Sequence, residues 1–576
     1  MAQSKCAHSR NLLAFAILGL VGCSDDTEAG ITEVARSNKP APTAVDPSEP
    51  FYAAEHVAQV QIELSPDDWK ALRLEGRSLI GEYTGTQNTY EYTEFEATAI
   101  VDGVRYERVA VRKKGYTGSL SVPRPSLKLR LDRHLEQSHL GLRQLTLNNN
   151  RQDPSNTHQC MAYHLFAKTG LPASRCNLAH VVVNGEDLGT YSNVEPITKR
   201  MLARHFADTS GNLYEGESAD FARGSVEYLE LKTNEKSMDR SDLDAVVAAL
   251  EVSDDQLVGA LSGVVDLDSF RTFWAMETLT GHWDSYSGNS NNYQVYHDPT
   301  SNRFFFLPWG TDGAFTGADP FDSVNRDVTV YASGRIANRL YALPEQRQLF
   351  RQRLGELNDA LWDEATLLAE VDQIAGLAPG SSAVALEKQR SYVRTRGSEL
   401  RAALAEPARD WVSSNAATAQ SPCVGLSSVQ GSFRTSWGDL QNLLQAGGEF
   451  SLNISLDAKV SQAAWFGKAG IEQYTGWESP AIQYATILPD ARILVVVLST
   501  SGSTFSAGTT PFHGFESWGV VAVVEGQVPR ILGIIGDGGI TFEQASCQLD
   551  APVVGRFEGQ LLQFDCLDVA PSVTGQ

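Results

Sequence analysis

Between Asp268 and Phe315 the hydrophobic period of this chain changes from helical to alternating, and that change constrains the fold more than any other stretch. DSFRTFWAMETL (268–279) places apolar residues at helical spacing and reads as a buried helix. It runs out at Gly281, so Asp284 falls in the loop behind it. NNYQVYH and RFFFLPW follow as β-rich runs, separated by the turn cluster Asp298–Asn302. They predict an antiparallel hairpin. With the turn centred near Thr300, Asn292 lies opposite roughly Pro308, and Asp312 lies just past the second strand. Asp284, Asn292 and Asp312 are thereby gathered at the open end of one hairpin.

That grouping has a chemical use. A divalent cation such as magnesium takes hard oxygen ligands, one or two carboxylates with phosphate and water completing its shell. Phosphoryl transfer needs the cation, positioning, and a carboxylate to accept the nucleophile's proton. An Asp, an Asn a few residues on, a hairpin and a second Asp is the order protein kinases use. Asn289, five residues after Asp284, competes with Asn292 for the metal role.

At 576 residues the chain is too long for one ordinary core, so two or three domains are expected. A net charge of −23 argues against nucleic acid as a main partner. No Walker loop, H-E-x-x-H, G-x-S-x-G or G-x-G-x-x-G occurs, which leaves hydrolase and dehydrogenase readings without support.

The N-terminus reads as an address. Lys5 and Arg10 precede a short apolar run, Leu12–Val21, too short to span a bilayer. It ends in Leu20-Val21-Gly22-Cys23, which resembles the lipobox of bacterial lipoproteins. The expectation is a signal peptide over 1–23, lipidation at Cys23 and a lipid-anchored place in the bacterial cell envelope. Ser24 after the cysteine favours the outer membrane. Residues 24–50, polar and rich in proline, read as a disordered tether. Export permits disulfides, and the spacing offers Cys160 with Cys176, and Cys423 with Cys547 or Cys566.

From Phe51 strand patterns dominate: HVAQVQIEL, EYTEFEATAIVDG, VRYERVAVRKKG and SLKLRL. Between the last two lies a glycine loop, Lys113–Ser119 with Lys114 and Gly115, and a lysine strand, Lys128, which together could hold phosphates. Asp153-Pro154 opens a helix that Gly170 ends, Asn184-Gly185 turns a hairpin, ITKRMLARHF is a further helix and GNLYEGE a strand. Asp242–Leu250 and the stretch Arg335–Leu404 are helical by pattern. After a small-residue linker come short apolar runs, among them ARILVVVLST and SWGVVAVVE. The expected class is α+β, with a first domain over 51–405, a linker over 406–422 and an all-β sandwich over 423–576. His513 in that second domain reads as structural.

SLKLRL, LTLNNNRQDPS, LAHVVVNGEDLGTYSNVEPI, GNLYEG, LELKTNEKS, GHWDSY, NNYQVY and FFFLPWGTDGAF, in that order, resemble the CotH (spore coat protein H) kinase family of atypical protein kinases. The resemblance runs from about Val57 to Arg401. It implies an atypical kinase-like domain that binds ATP with Mg2+, or with Ca2+ or Mn2+, and phosphorylates protein Ser or Thr. Position by position it makes Asp284 the catalytic aspartate and Asp312 the end of the metal-binding Pro-Trp-Asp-x-Asp segment. Asn292 becomes the asparagine before the aromatic strand, and Lys128 the phosphate-contacting lysine. Trp309 becomes a candidate for stacking near the nucleotide, and Glu195 the ion-pair partner that orients Lys128. Gly310 departs from the family, which usually has Asp there. If that Asp is a ligand, the site has lost a carboxylate; if Asp312 is the ligand, nothing essential is missing. The alternative is a catalytically inactive, metal-stabilised surface or adhesion module.

Overall fold

A computed structural model describes residues 46–78, 80, 91–115, 119–237, 239–316, 328–411, 425–440, 447–454, 465–472, 479–488, 490–502, 504–512, 517–525 and 528–563. Cys23, the tether up to residue 45, Cys423, His513 and Cys566 lie outside them. Among the described residues no helix is long and apolar enough to cross a membrane.

Seven strands open the fold: β1 (Val57–Glu63), β2 (Phe95–Val101), β3 (Val104–Lys114), β4 (Ser126–Arg130), β5 (Gln144–Asn148), β6 (Cys176–Val183) and β7 (Glu186–Val194). They close into a barrel in the order β1-β2-β3-β4-β5-β7-β6, with β1 and β6 parallel at the seam. Alternation decides which side chains go inside. On β4, Leu127 and Leu129 enter the barrel core with Val111, Leu145 and Leu147, so Lys128 faces out. On β3, Val109 and Val111 point in and Arg112 and Lys114 point out. Lys113 falls on the inner side, fully buried, and its ammonium donates to the carbonyls of Arg73 (2.7 Å) and Glu75 (2.6 Å). It closes the barrel end and is not free for a ligand.

The described residues begin inside the stretch read as a tether. Asp46 ion-pairs with Arg200, and Glu49 with Arg175 at 2.7 Å. Phe51 and Tyr52 are buried beside the barrel.

The rest of the first half is helical around a small sheet. β8 (Leu213–Gly216), β9 (Glu230–Leu231), β10 (Tyr293–Asp298) and β11 (Arg303–Pro308) pair in the order β11-β10-β8-β9. The β10–β11 hairpin is the predicted one, with Tyr293 opposite Pro308. Its inner face packs Tyr293, Val295, Phe304 and Phe306 against the helices Leu267–Leu279 and Arg335–Ala342. The helices Pro344–Leu361, Glu364–Leu377 and Ala383–Ala405 complete that core.

Two expected helices are shorter than their patterns. The one opened by Asp153 begins at His158, because Asp153 spends both carboxylate oxygens on the turn before it. It accepts from the Ser155 amide (2.9 Å) and from the His158 amide (2.8 Å). ITKRMLARHF forms regular helix only over Lys199–Leu202, after which the Arg204 and His205 amides bond three residues back. The disulfide Cys160–Cys176 is present and staples the helix His158–Lys168 to β6. Cys547 is also disulfide-bonded.

From residue 425 onward every described element is a strand. Among the described residues nine strands run from β12 (Gly425–Ser436) through β13 (Glu449–Ile454), β14 (Phe466–Glu472), β15 (Ser479–Ile487), β16 (Ile493–Thr500), β17 (Gly508–Pro511), β18 (Ser517–Glu525) and β19 (Val528–Gln544) to β20 (Pro552–Gln563). They form one sheet ordered β13-β12-β20-β19-β18-β16-β15-β14, with β17 on β19. It curls until Trp437, just past β12, bridges to Ala469 on β14, so the two halves of one sheet enclose the core.

Candidate functional site

The outward side chains of the barrel wall and the end of the small sheet share one cleft, lined by Lys114, Lys128, Asn148, Glu215, Asp284, Trp309 and Asp312. Each arrives there for a local reason. Asp284 sits between the helix Leu267–Leu279 and the short helix Tyr286–Asn289. That loop is pinned from below by Glu277, fully buried, whose carboxylate accepts the amides of Tyr286 (3.2 Å) and Ser287 (2.9 Å). Burial pushes the Glu277 carboxyl up to about 8, against the pull of those amides and of Ser285. Gly288 is required in the loop, because a Cβ there would collide with the Trp283 carbonyl.

Three amide side chains converge on Asp284. Asn289 (2.9 Å) and Asn291 (3.1 Å) donate to Oδ1, and Asn292 donates to Oδ2 (2.8 Å) and to the Asp284 carbonyl (2.9 Å). Hydrogen bonds donated to a carboxylate favour its charged form and fix its orientation. With Nδ2 committed to Asp284, the oxygens of Asn289 and Asn292 remain as acceptors. Asn291 is the member that spacing arguments passed over. Its own Oδ1 also accepts the Ser218 amide at 3.1 Å, which ties the cluster to the chain leaving β8.

Asp312 lies on the single turn Thr311–Gly313 after β11. His158 Nδ1 donates to its carbonyl at 3.1 Å, and the Phe315 amide bonds the Thr280 carbonyl at 2.6 Å. The two aspartates are therefore brought together: Asp284 Cβ lies against Gly313, and the charges of Asp284 and Asp153 both act on Asp312. Burial pushes the Asp312 carboxyl up to about 6; the two neighbouring aspartates add to this, and Lys114 opposes them.

Gly310 has φ +54°, and a Cβ built there would fall on the amide oxygen of Asn292. A side chain at position 310 would therefore push Asn292 away from Asp284.

A second lysine joins Lys128 in the cleft. Lys128 does face the cleft, and burial together with Arg112 and Lys232 pushes it down to about 8. Lys114, on the neighbouring strand, is the lysine that acts on Asp312. Burial lowers its pKa while Asp312 and Glu215 raise it. It hydrogen-bonds Asn148 and stands 5.9 Å from the centre of the Trp309 ring. Its position immediately before the glycine loop was the available signal. Glu195 does not pair with Lys128. It is 2% exposed and its carboxylate is taken by Arg175 (2.8 and 3.1 Å) and by Arg204 (2.7 Å). The half-buried acid beside the lysines is Glu215, held by Lys232 at 2.7 Å. Trp309 is half-buried, with one side on the helical core and Lys114 near its ring.

Among the described residues no three His, Cys, Asp or Glu side chains cluster as a metal cage. The donor set does fit a cation that arrives with phosphates, since magnesium is commonly held by one or two carboxylates plus its substrate. The crowding of Asp312 by Asp284 and Asp153 is charge such a cation would relieve. Lys114→Ala should weaken the thermal stabilisation by ATP–magnesium by about tenfold in apparent affinity, the order of a lost charge-assisted contact. Lys128→Ala should weaken it less, and an equal effect would return the role to Lys128.

The sequence profile of the CotH kinase protein family matches residues 111–410, just over half of the chain. This chain belongs to that family. Among curated CotH relatives, the invasin CotH2 of Rhizopus delemar is 24% identical over 41% of this chain and 43% of its own length. Invasin CotH7 of the same organism is 26% identical over 38% of this chain and 40% of its own. The inner spore coat protein H of Bacillus subtilis is 25% identical over 30% and 51%. The chain thus spans about two fifths to half the length of the curated CotH proteins it matches. Among solved structures, the Helicobacter pylori proinflammatory kinase CtkA aligns over 49% of this chain and 93% of that one. Its TM-score of 0.26 at 11% identity carries no argument here. The CotH match begins at residue 111, inside β3, and runs past the helix Ala383–Ala405, and so includes both aspartates, the amide cluster and both cleft lysines. It supports a CotH-like kinase or a related protein.

Proposed function

We propose that this chain is a protein kinase that transfers the γ-phosphate of ATP to Ser or Thr of another protein. The observation that carries the reading is Asp284, gripped by three asparagine amides and set beside Asp312 and Lys114 in one cleft of a CotH-family chain. Asp284 is aimed by the three donated hydrogen bonds, so its carboxylate can accept the proton of the acceptor hydroxyl as that oxygen bonds the γ-phosphorus and the bond from phosphorus to the ADP oxygen breaks. Lys114 supplies positive charge to the phosphates, and Trp309 offers a ring face near the nucleotide. Asp312 with the amide oxygen of Asn292 or Asn289 would hold magnesium, or manganese or calcium. The cation would neutralise charge on the transferring phosphates.

We also infer export and a lipid anchor at Cys23, supported by the lipobox-like Leu-Val-Gly-Cys and by the native disulfide Cys160–Cys176. Two of the relatives carry the name invasin, which favours a second reading of the chain as a surface module.

Incubating the purified full chain with labelled ATP, magnesium and a generic acceptor such as casein tests the first reading. Transfer is expected, and Asp312→Ala should abolish it. Transfer that survives this substitution overturns the metal assignment. Stabilisation by metal alone, with no effect of nucleotide and no transfer, supports the surface module instead.

A further inference from the structure

β16 and β18 are apolar at consecutive positions, ILVVVL and VVAVV, where a sheet with one wet face would alternate. The structure divides them between two faces. Leu494, Val496, Leu498, Val521 and Val523 fill the C-terminal core. Val495 and Val497, with Ile493, Trp518 and Val524, form a separate apolar cluster on the other face. The register sets Ile493 beside Val524, Val497 beside Val520 and Ser499 beside Trp518, so the cluster is one continuous wall. Val495 and Val497 are each 9% exposed, so the cluster lines a recess and is not an open patch.

The wall does not face away from the catalytic half. Val495, Val497, Trp518 and Val524 line the same cavity as Lys114, Asp284 and Asp312. That cavity measures about 3490 Å³. A small-molecule site takes roughly 300–1,000 Å³, so a nucleotide leaves most of this space open. β16 and β18 are each paired on both sides, so nothing can join them by backbone hydrogen bonds. Recognition on this wall is by side chains. Because this recess is shared with the candidate catalytic residues, an extended chain suits it better than a second folded copy.

We propose that the C-terminal sheet is the acceptor-docking surface: an extended segment of the substrate protein lays apolar side chains on the Trp518–Val497 wall while its hydroxyl residue reaches Asp284. This rests on the kinase reading above. It gives the C-terminal domain a role in choosing the substrate, favouring Ser or Thr flanked by apolar residues over the same residue flanked by acids.

Binding can be read without catalysis. A short fluorescein-labelled peptide with a central Ser between Leu and Val residues, and its counterpart with Asp in place of Leu and Val, are titrated with the full chain by anisotropy, without nucleotide. The apolar peptide is expected to bind more tightly. Trp518→Ala should weaken it at least about tenfold, as for loss of an aromatic anchor. Trp518→Phe should restore most of that loss, and the stabilisation by ATP–magnesium should not change. Val524→Asp, at the margin of the wall, gives a second variant should Trp518→Ala unfold. Equal binding of the two peptides, or unchanged binding in both variants, overturns the proposal. So does a variant that alters only the sedimentation of the protein, which would make the wall a contact between copies. Peptide that binds in this pattern but is never phosphorylated supports the docking surface and removes the kinase reading.

Discussion

Asp284→Asn should lower kcat for phosphate transfer by about 10²–10⁴-fold, the range a positioned general base supplies. The carboxylate accepts from Asn289, Asn291 and Asn292, so the substitution sets an amide against three amide donors. One nitrogen of the new side chain must face another donor, and the loop between Gly281 and Asn292 should loosen with it. Stabilisation by ATP–magnesium should persist, because Lys114, Asp312 and Trp309 are untouched. Initial rates and melting curves on the same preparation separate the two effects. Unchanged rates would remove Asp284 from the chemistry.

Glu195→Ala should cost about 3–5 kcal/mol of stability, the penalty for stripping one partner from a buried ion pair. The substitution leaves Arg175 and Arg204 facing a hole, with Asp46 and Glu49 as partial substitutes. The pH dependence has a definite sign. Burial by itself would raise the Glu195 carboxyl, but the hydrogen bonds and charges of Arg204 and Arg175 outweigh it and hold the pKa below the usual glutamate value. A depressed carboxyl stabilises the fold fully above its unfolded pKa and loses that contribution as pH falls through the folded one. Wild-type stability should therefore drop on acidification below about pH 4.3, the unfolded glutamate value, and Glu195→Ala should flatten part of that slope. Denaturant melts across the acid range measure both. A large rise in the KM for ATP with unchanged stability would instead return Glu195 to the nucleotide site.

Much of the architecture was legible because hydrophobic period is a local property. Leucines at every second position of SLKLR specify a strand with Lys128 outside, whatever the barrel around it. The aromatic hairpin and the helix before it were readable for the same reason, and Tyr293 opposite Pro308 lies within one residue of the predicted register. Cys160 and Cys176 found each other as their spacing allowed. The continuous runs in β16 and β18 announced two covered faces without saying what covers the second.

Charge partners were not legible, since they depend on which outward faces meet. Lys114 and Lys128 lie on paired strands, both outward, and only the packing of β8 and the Thr311–Gly313 turn against that wall puts Asp312 next to Lys114. Glu195 follows a hairpin as the resemblance requires, yet the arginines from Arg175 and the turn at Arg204 reach it first. The glycine at 310 is visible in the sequence, but that a side chain there would meet Asn292 follows from two left-handed residues facing each other. The sequence by itself determined the elements, the hairpin that gathers the polar residues, and the CotH family. The tertiary structure decided which lysine, which glutamate and which amides share the cleft, because period assigns a side chain to a face and only packing assigns that face a neighbour.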